Sequence, residues 1–177
     1  MRKNLQPVDL GDFLEQPRLA TLATHFADGT ILLSPVWYEW RDGGFTVLIG
    51  KNEVKTRHLK RDARASIVVA EDVLPYRGIE VRGVASFTAD DLDAALLRLA
   101  TRYLGAEAGR RYVDRVDPAD QIGIRLVPGI LRAWDFADEE YLRMVCVESG
   151  NVGKNKLVIG PGKTETMRVE LSSEMLT

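Results

Sequence analysis

Short apolar runs, each closed by tight-turn residues, divide this 177-residue chain into segments of strand length. Asp28-Gly29 separates residues 19–26 from 31–40, Asp42-Gly43-Gly44 separates that run from 45–49, and Pro128-Gly129 separates 122–127 from 130–134. Such punctuation is the signature of hairpins between neighbouring strands. Residues 65–70 read as a further strand. In 79–87, Ile79, Val81, Gly83, Ala85 and Phe87 alternate with Glu80, Arg82, Val84 and Ser86, a period of two with one apolar face. Pro35 interrupts 31–40 and removes a ladder donor, which implies an edge, a bulge or a strand break. About six strands joined mostly by hairpins predict a mainly β protein, an antiparallel sheet closed as a barrel rather than a doubly wound parallel sheet.

Helices are expected between the strands. Residues 9–15 read as a short amphipathic helix closed by Pro17. Leu92, Leu96, Leu99 and Tyr103 stand at helical spacing up to Gly105, with Thr88 and Asp91 as a capping box. Residues 51–64 form a short basic helix directly after a hairpin. They hold six cations (Lys51, Lys55, Arg57, Lys60, Arg61, Arg64) against two acids (Glu53, Asp62), in a chain of net charge −2. The barrel domain is expected over 1–137. Residues 138–177 are turn-rich, with strand-like runs at 157–159 and 167–171, and read as an appendage, a dimer-embracing arm or a tail.

Composition narrows the function classes. Hydrophobic content of 45% and charged content of 28% are ordinary for a globular protein. The slightly acidic balance argues against a general nucleic-acid partner. Cys146 is the lone cysteine, which excludes an intramolecular disulfide and a cysteine-rich metal site. His25 and His58 are the only histidines and offer two metal ligands at most. No serine stands in a nucleophile-elbow context. Gly160-Pro161-Gly162-Lys163-Thr164 resembles a phosphate loop but has Leu157 where that motif needs glycine. No membrane-span run or signal-peptide core is present, so a cytoplasmic location is expected.

Three segments carry candidate chemistry. Lys51 and Lys55 sit at a helix entry, where free N–H groups and the partial positive charge favour an anion rather than more cations. A bound phosphate or carboxylate explains them, and so does a solvated basic face. If the hairpin is formed, Ser34, Pro35, Val36 and Trp37 lie beside that entry and offer interrupted backbone and an aromatic ring to a flat heterocycle, or alternatively fill core. Tyr76, Arg77 and Gly78 place an aromatic and a guanidinium in a loop before a strand, where Arg77 binds an anion bidentately or makes a structural ion pair.

In this order, residues 17–24, Asp28-Gly29, Ser34-Pro35-Val36-Trp37-Tyr38, Lys55-x-Arg57-x-Leu59-x-Arg61-Asp62 and residues 76–83 resemble the pyridoxamine-phosphate-oxidase-like superfamily. They resemble most its branch of oxidoreductases dependent on the deazaflavin coenzyme F420, over roughly residues 8–136. The resemblance implies an FMN-binding-like split β-barrel homodimer with cofactor in grooves at the subunit interface. It implies phosphate or acidic-tail contacts from the region of Gly50, Lys51, Lys55, Arg57 and Leu59, and ring contacts from Ser34, Pro35, Val36 and Trp37. Tyr76, Arg77 and Gly78 would line the tail or acceptor groove. Relatives often carry Asn where this chain has His58. The implied activity is hydride transfer from reduced F420 to an unsaturated or quinone-like small-molecule acceptor. An FMN-dependent oxidase or reductase and a non-catalytic cofactor- or tetrapyrrole-binding protein are the alternatives. The absence of a nucleophilic motif agrees with chemistry carried by a cofactor.

Overall fold

The computed structural model describes residues 5–89, 91–136, 161–164 and 166. The chain divides into two compact units, Met1–Leu142 and Arg143–Thr177. In the second unit the described residues are a turn at Pro161-Gly162 and the residues just after it. The strand-like runs at 157–159 and 167–171 lie outside the described residues.

The first unit opens with two short 3₁₀ turns over Pro7–Glu15, broken at Gly11 (φ 61°), where a short amphipathic helix was expected. Eight strands follow: β1 (Ala20–His25), β2 (Ile31–Val36), β3 (Glu39–Arg41), β4 (Gly44–Gly50), β5 (Arg64–Ala70), β6 (Gly78–Thr88), β7 (Gln121–Leu126) and β8 (Ile130–Trp134). Between them lie α1 (Val54–Arg61), α2 (Leu92–Leu104) and α3 (Ala106–Val113). The strands form one antiparallel sheet in the order β2-β1-β5-β6-β7-β4-β3, with β8 also paired to β6.

The long strand β6 makes this a curled, split barrel. Its first half pairs β8 (Gly78 opposite Trp134, Arg82 opposite Ile130), whereas its second half pairs β7 (Ala85 opposite Leu126, Thr88 opposite Gly123). Gly83 lies at the change of partner, where the β7–β8 turn crosses it. A Cβ there would stand 2.5 Å from the Val127 carbonyl oxygen, so only glycine permits the crossing. The core fills the inside of the curl through cross-strand rows such as Leu22–Ile67–Val81 and Phe45–Leu126–Ala85. Each fully buried large side chain there contributes about 1.5–3 kcal/mol.

Three departures from expectation have local causes. The run 31–40 is two strands: β2 begins the sheet order and β3 ends it, so Trp37 and Tyr38 are the crossing between the two halves. Thr88 is the last residue of β6 rather than a helix cap. The residue before α2 is Asp91, in a left-handed conformation (φ 54°) without a side-chain cap bond. The sequence reading also ended the helical stretch at Gly105, where a second helix, α3, begins at once; Gly109 lets it close onto α2 at Thr101.

Candidate functional site

The turn from β4 into α1 is built by hydrogen bonds that fix its backbone. Glu53 N–H donates to the Gly50 carbonyl (3.2 Å), the Thr56 hydroxyl donates to the same carbonyl (2.7 Å), and Lys51 N–H donates to the Asp120 carbonyl (2.8 Å). Glu53 is the residue before the helix yet makes no side-chain cap bond, and the first turn of α1 holds no acid. The opening N–H groups of the helix are therefore left without the carboxylate or hydroxyl that normally covers them.

Glu53 turns the other way. Its carboxylate accepts from Gly50 N–H (3.0 Å) and pairs with the Lys55 ammonium. The Lys55 side chain is only 16% exposed, and burial pushes its pKa down from the ordinary value. The adjacent Glu53 charge is what favours the ammonium form there. Arg57 donates to the Asn52 carbonyl (2.8 Å), and neither Arg57 nor exposed Lys51 has a carboxylate partner among the described residues.

The rest of α1 anchors it to β1. Leu59 is buried in the core (2% exposed) and Arg61 bonds the His25 carbonyl. His58 is buried, with Nδ1 3.1 Å from the Thr24 hydroxyl and its ring edge-on to Phe26. Burial, then the charges of Arg61, Arg57 and His25, lower the His58 pKa, so the imidazole stands neutral.

β2 is an outer strand of the sheet, and Pro35 sits on it opposite Thr21, which realises the edge reading. Leu32 stands opposite Thr24, the residue that holds His58. Ser34 is two residues further along, about 7 Å at strand rise. Ser34, Pro35 and Val36 thus lie opposite Leu22, Thr21 and Ala20, while α1 is held at Thr24 and His25 toward the other end of β1. Val36 is buried, Pro35 is exposed and Ser34 is half-buried. Trp37 leaves the strand and stacks on Tyr103 of α2 (centroids 4.9 Å, planes 7° apart), with Tyr112 of α3 at 5.4 Å. The Tyr103 hydroxyl donates to the Arg18 carbonyl and accepts from Tyr38 N–H, so this stack is held rigidly.

The loop before β6 lies at the opposite end of β1. There Glu71, with 1% of its side chain exposed, accepts from Arg77 Nε and N–H (2.9 Å each) and from Arg18 (2.9 Å). Burial alone would raise the Glu71 pKa, but the Arg77 hydrogen bonds and the charges of Arg77 and Arg18 outweigh it and hold it below the ordinary value. Arg77 also donates to the Leu10 carbonyl, and both guanidiniums lie over the Phe13 ring. Of the two readings of Arg77, the ion pair is the one realised. Tyr76 is exposed with φ 55°, and Gly78 gives Trp134 room, since a Cβ would fall 2.1 Å from its ring. No hydrogen bond, ion pair or ring contact among the described residues joins this loop to α1.

A cleft of about 310 Å³, lined by acids as well as arginines, lies between α2 and the row Glu39–Thr46–Arg125–Ser86 across four strands. Its three arginines are engaged: Arg41 by Asp42, Arg98 by Glu39 and Asp91, and Arg125 by the carbonyls of Asp42 and Gly44 and the Thr46 hydroxyl. Among the described residues no group of three metal-ligating side chains occurs, and no helix is long and apolar enough to cross a membrane. Sequence reasoning missed Glu53, which it counted only as one acid among six cations. The signal was its place just before the helix, within reach of Lys55.

Comparison with known proteins agrees with this architecture. Residues 9–129 match the model of the family described as pyridoxamine 5'-phosphate oxidase, and the chain belongs to that family. A conserved hypothetical protein, Rv2991 from Mycobacterium tuberculosis, is similar at 26% identity and TM-score 0.64, over 87% of this chain and 96% of its own. An F420 reductase is similar at 28% identity and TM-score 0.58, over 68% of this chain and 93% of its own. The heme storage protein HutZ from Vibrio cholerae shares the fold at 20% identity and TM-score 0.54, over 71% of this chain and 92% of its own. No curated protein matches the chain.

Proposed function

We propose that this chain is a cytoplasmic homodimeric oxidoreductase that binds coenzyme F420 and passes a hydride from its reduced form to an unsaturated or quinone-like acceptor. The observation that carries the reading is the entry of α1, which has no side-chain cap and no acid in its first turn and is surrounded in sequence by Lys51, Lys55 and Arg57. The likeness to an F420 reductase supports the choice of deazaflavin.

The bound cofactor supplies the hydride chemistry. Lys51, Lys55 and Arg57, with the helix amides, hold its phosphate and acidic tail. Leu59 and His58 seat the helix that carries them. Ser34, Pro35 and Val36 run along the ring system, and Trp37, fixed on Tyr103, forms a rigid wall at its end. Tyr76 lines the acceptor side, on a loop that Arg77 holds in place through Glu71, with Gly78 keeping that loop close to Trp134. In the homodimer the partner covers the open face of the β2 edge.

Titration with F420 and FMN, followed by oxidation of the reduced cofactor against a quinone panel, tests this. The expected result is tighter binding of F420 and turnover with at least one acceptor. A yellow purified protein that retains FMN would replace the reading with an FMN oxidase or reductase. Binding without turnover on any acceptor would make the protein a carrier of cofactor or tetrapyrrole.

A further inference from the structure

Three buried donors meet at one junction of the fold. The Tyr38 hydroxyl, Arg18 Nε and Arg102 Nε are each shut off from solvent and make no hydrogen bond among the described residues. Tyr38 is covered completely (0% exposed). Buried polar groups are nearly always paired, so three in one region need a common partner.

The elements that carry these donors are tied to one another. Arg102 of α2 donates to the Leu14 carbonyl and to the Gln16 carbonyl (2.8 Å), at the end of Pro7–Glu15. Arg18 donates to the Gln16 side-chain oxygen (2.8 Å) and to Glu71 (2.9 Å). The Arg102 guanidinium lies over the Tyr38 ring, 5.0 Å from its centroid. Tyr103 links the Tyr38 N–H to the Arg18 carbonyl. Burial raises the Tyr38 pKa, against the nearby charges of Arg102 and Arg18, so the hydroxyl keeps its proton and stays a donor.

We infer that this junction is a binding site for one small monoanion, a halide such as chloride, held by Arg18 Nε–H, Arg102 Nε–H and the Tyr38 O–H. Charge and valence both select an anion over water. Arg18 and Arg77 share one covered carboxylate, Glu71, and the Asp12 beside Arg77 is 65% exposed. Arg102 is answered only by carbonyls. A water accepts two hydrogen bonds and brings two protons of its own, and the Tyr38 oxygen is the one acceptor these three groups offer them. A halide accepts from all three donors and brings no proton. The bound anion bridges the end of Pro7–Glu15, the β2–β3 crossing and α2, and so braces Tyr103, on which Trp37 stacks.

The test is thermal melting of the full chain at fixed ionic strength while chloride replaces gluconate, for wild type and Tyr38→Phe. Phenylalanine keeps the ring under Arg102 and removes only the hydroxyl. Wild type is expected to gain about 3–5 °C, along a saturating curve, at chloride tenfold above the dissociation constant. Tyr38→Phe is expected to lose at least half of that gain. No saturating gain in wild type, or an equal gain in both proteins, as an adventitious ion only would give, overturns the site. Should Tyr38→Phe fail to fold, diffraction from wild-type crystals grown in bromide takes its place. An anomalous peak within hydrogen-bond reach of the three donors then supports the site. Density there without anomalous signal identifies water, and that result or no density at all overturns it.

Discussion

Two cationic clusters lie toward opposite ends of β1, and they differ in what answers their charge. At the loop before β6, Arg18 and Arg77 converge on Glu71, a carboxylate shut away from solvent, and the remaining donors of Arg77 reach the Leu10 carbonyl and Asp12. At the α1 entry, Lys51 and Arg57 face no carboxylate among the described residues, and Lys55 is answered only by a half-exposed Glu53. The first cluster is closed and structural. The second is open. Counting charges along the chain treats them alike, and what separates them is whether an acid is delivered to the cluster by the fold.

The strongest way to break the comparison is to remove the internal acid. Glu71→Ala leaves two largely covered arginines without their partner, and loss of one member of a buried pair costs about 3–5 kcal/mol. The melting temperature should fall by on the order of 10 °C. A fall of only a degree or two would show that the loop does not depend on this pair. Next in size is Lys55→Ala, which removes a charged hydrogen-bond donor from the proposed phosphate contact and should raise the F420 dissociation constant about 10- to 100-fold with little change in melting temperature.

A smaller effect comes from His58. Its folded pKa lies below the ordinary 6.5, so the unfolded chain takes up the proton first. Stability is therefore complete above about pH 6.5 and declines as pH falls from there through the folded value. His58→Asn should flatten the melting temperature between pH 7 and 5 relative to wild type. Parallel pH profiles would remove His58 from the account. Smallest is Trp37→Ala, which should reduce cofactor affinity a few-fold and lower the melting temperature through the lost stack on Tyr103. An unaltered affinity would confine Trp37 to packing.

The fold was legible wherever turn chemistry decided it. The two-residue Asp42-Gly43 turn has both residues at positive φ, the geometry that matches a hairpin's twist, and it joins β3 to β4 as expected. Pro35 pointed to an edge, a bulge or a strand break through its missing N–H, and it lies on the outer strand β2. The division of 31–40 was not legible, since Trp37 and Tyr38 continue an apolar run without a turn residue, and the crossing depends on the distant Tyr103. The helix cap at Thr88 misled because β6 runs longer than a typical strand to reach β7. At the site, the basic helix was visible locally. The fate of Arg77 was not, because Leu10, Asp12 and Arg18 reach that loop only through the tertiary fold. Glu53 needed a side-chain direction, which spacing alone does not supply.

The contrast between the open and the closed cluster reduces to one side-by-side measurement, the F420 dissociation constants of Lys55→Ala and Arg77→Ala at a single low salt concentration. The account predicts that Lys55→Ala weakens binding at least about tenfold, whereas Arg77→Ala changes it by no more than about threefold while losing thermal stability. The reverse order, with Arg77→Ala abolishing binding and Lys55→Ala leaving it intact, would place the anion at the other end of β1 and contradict the account.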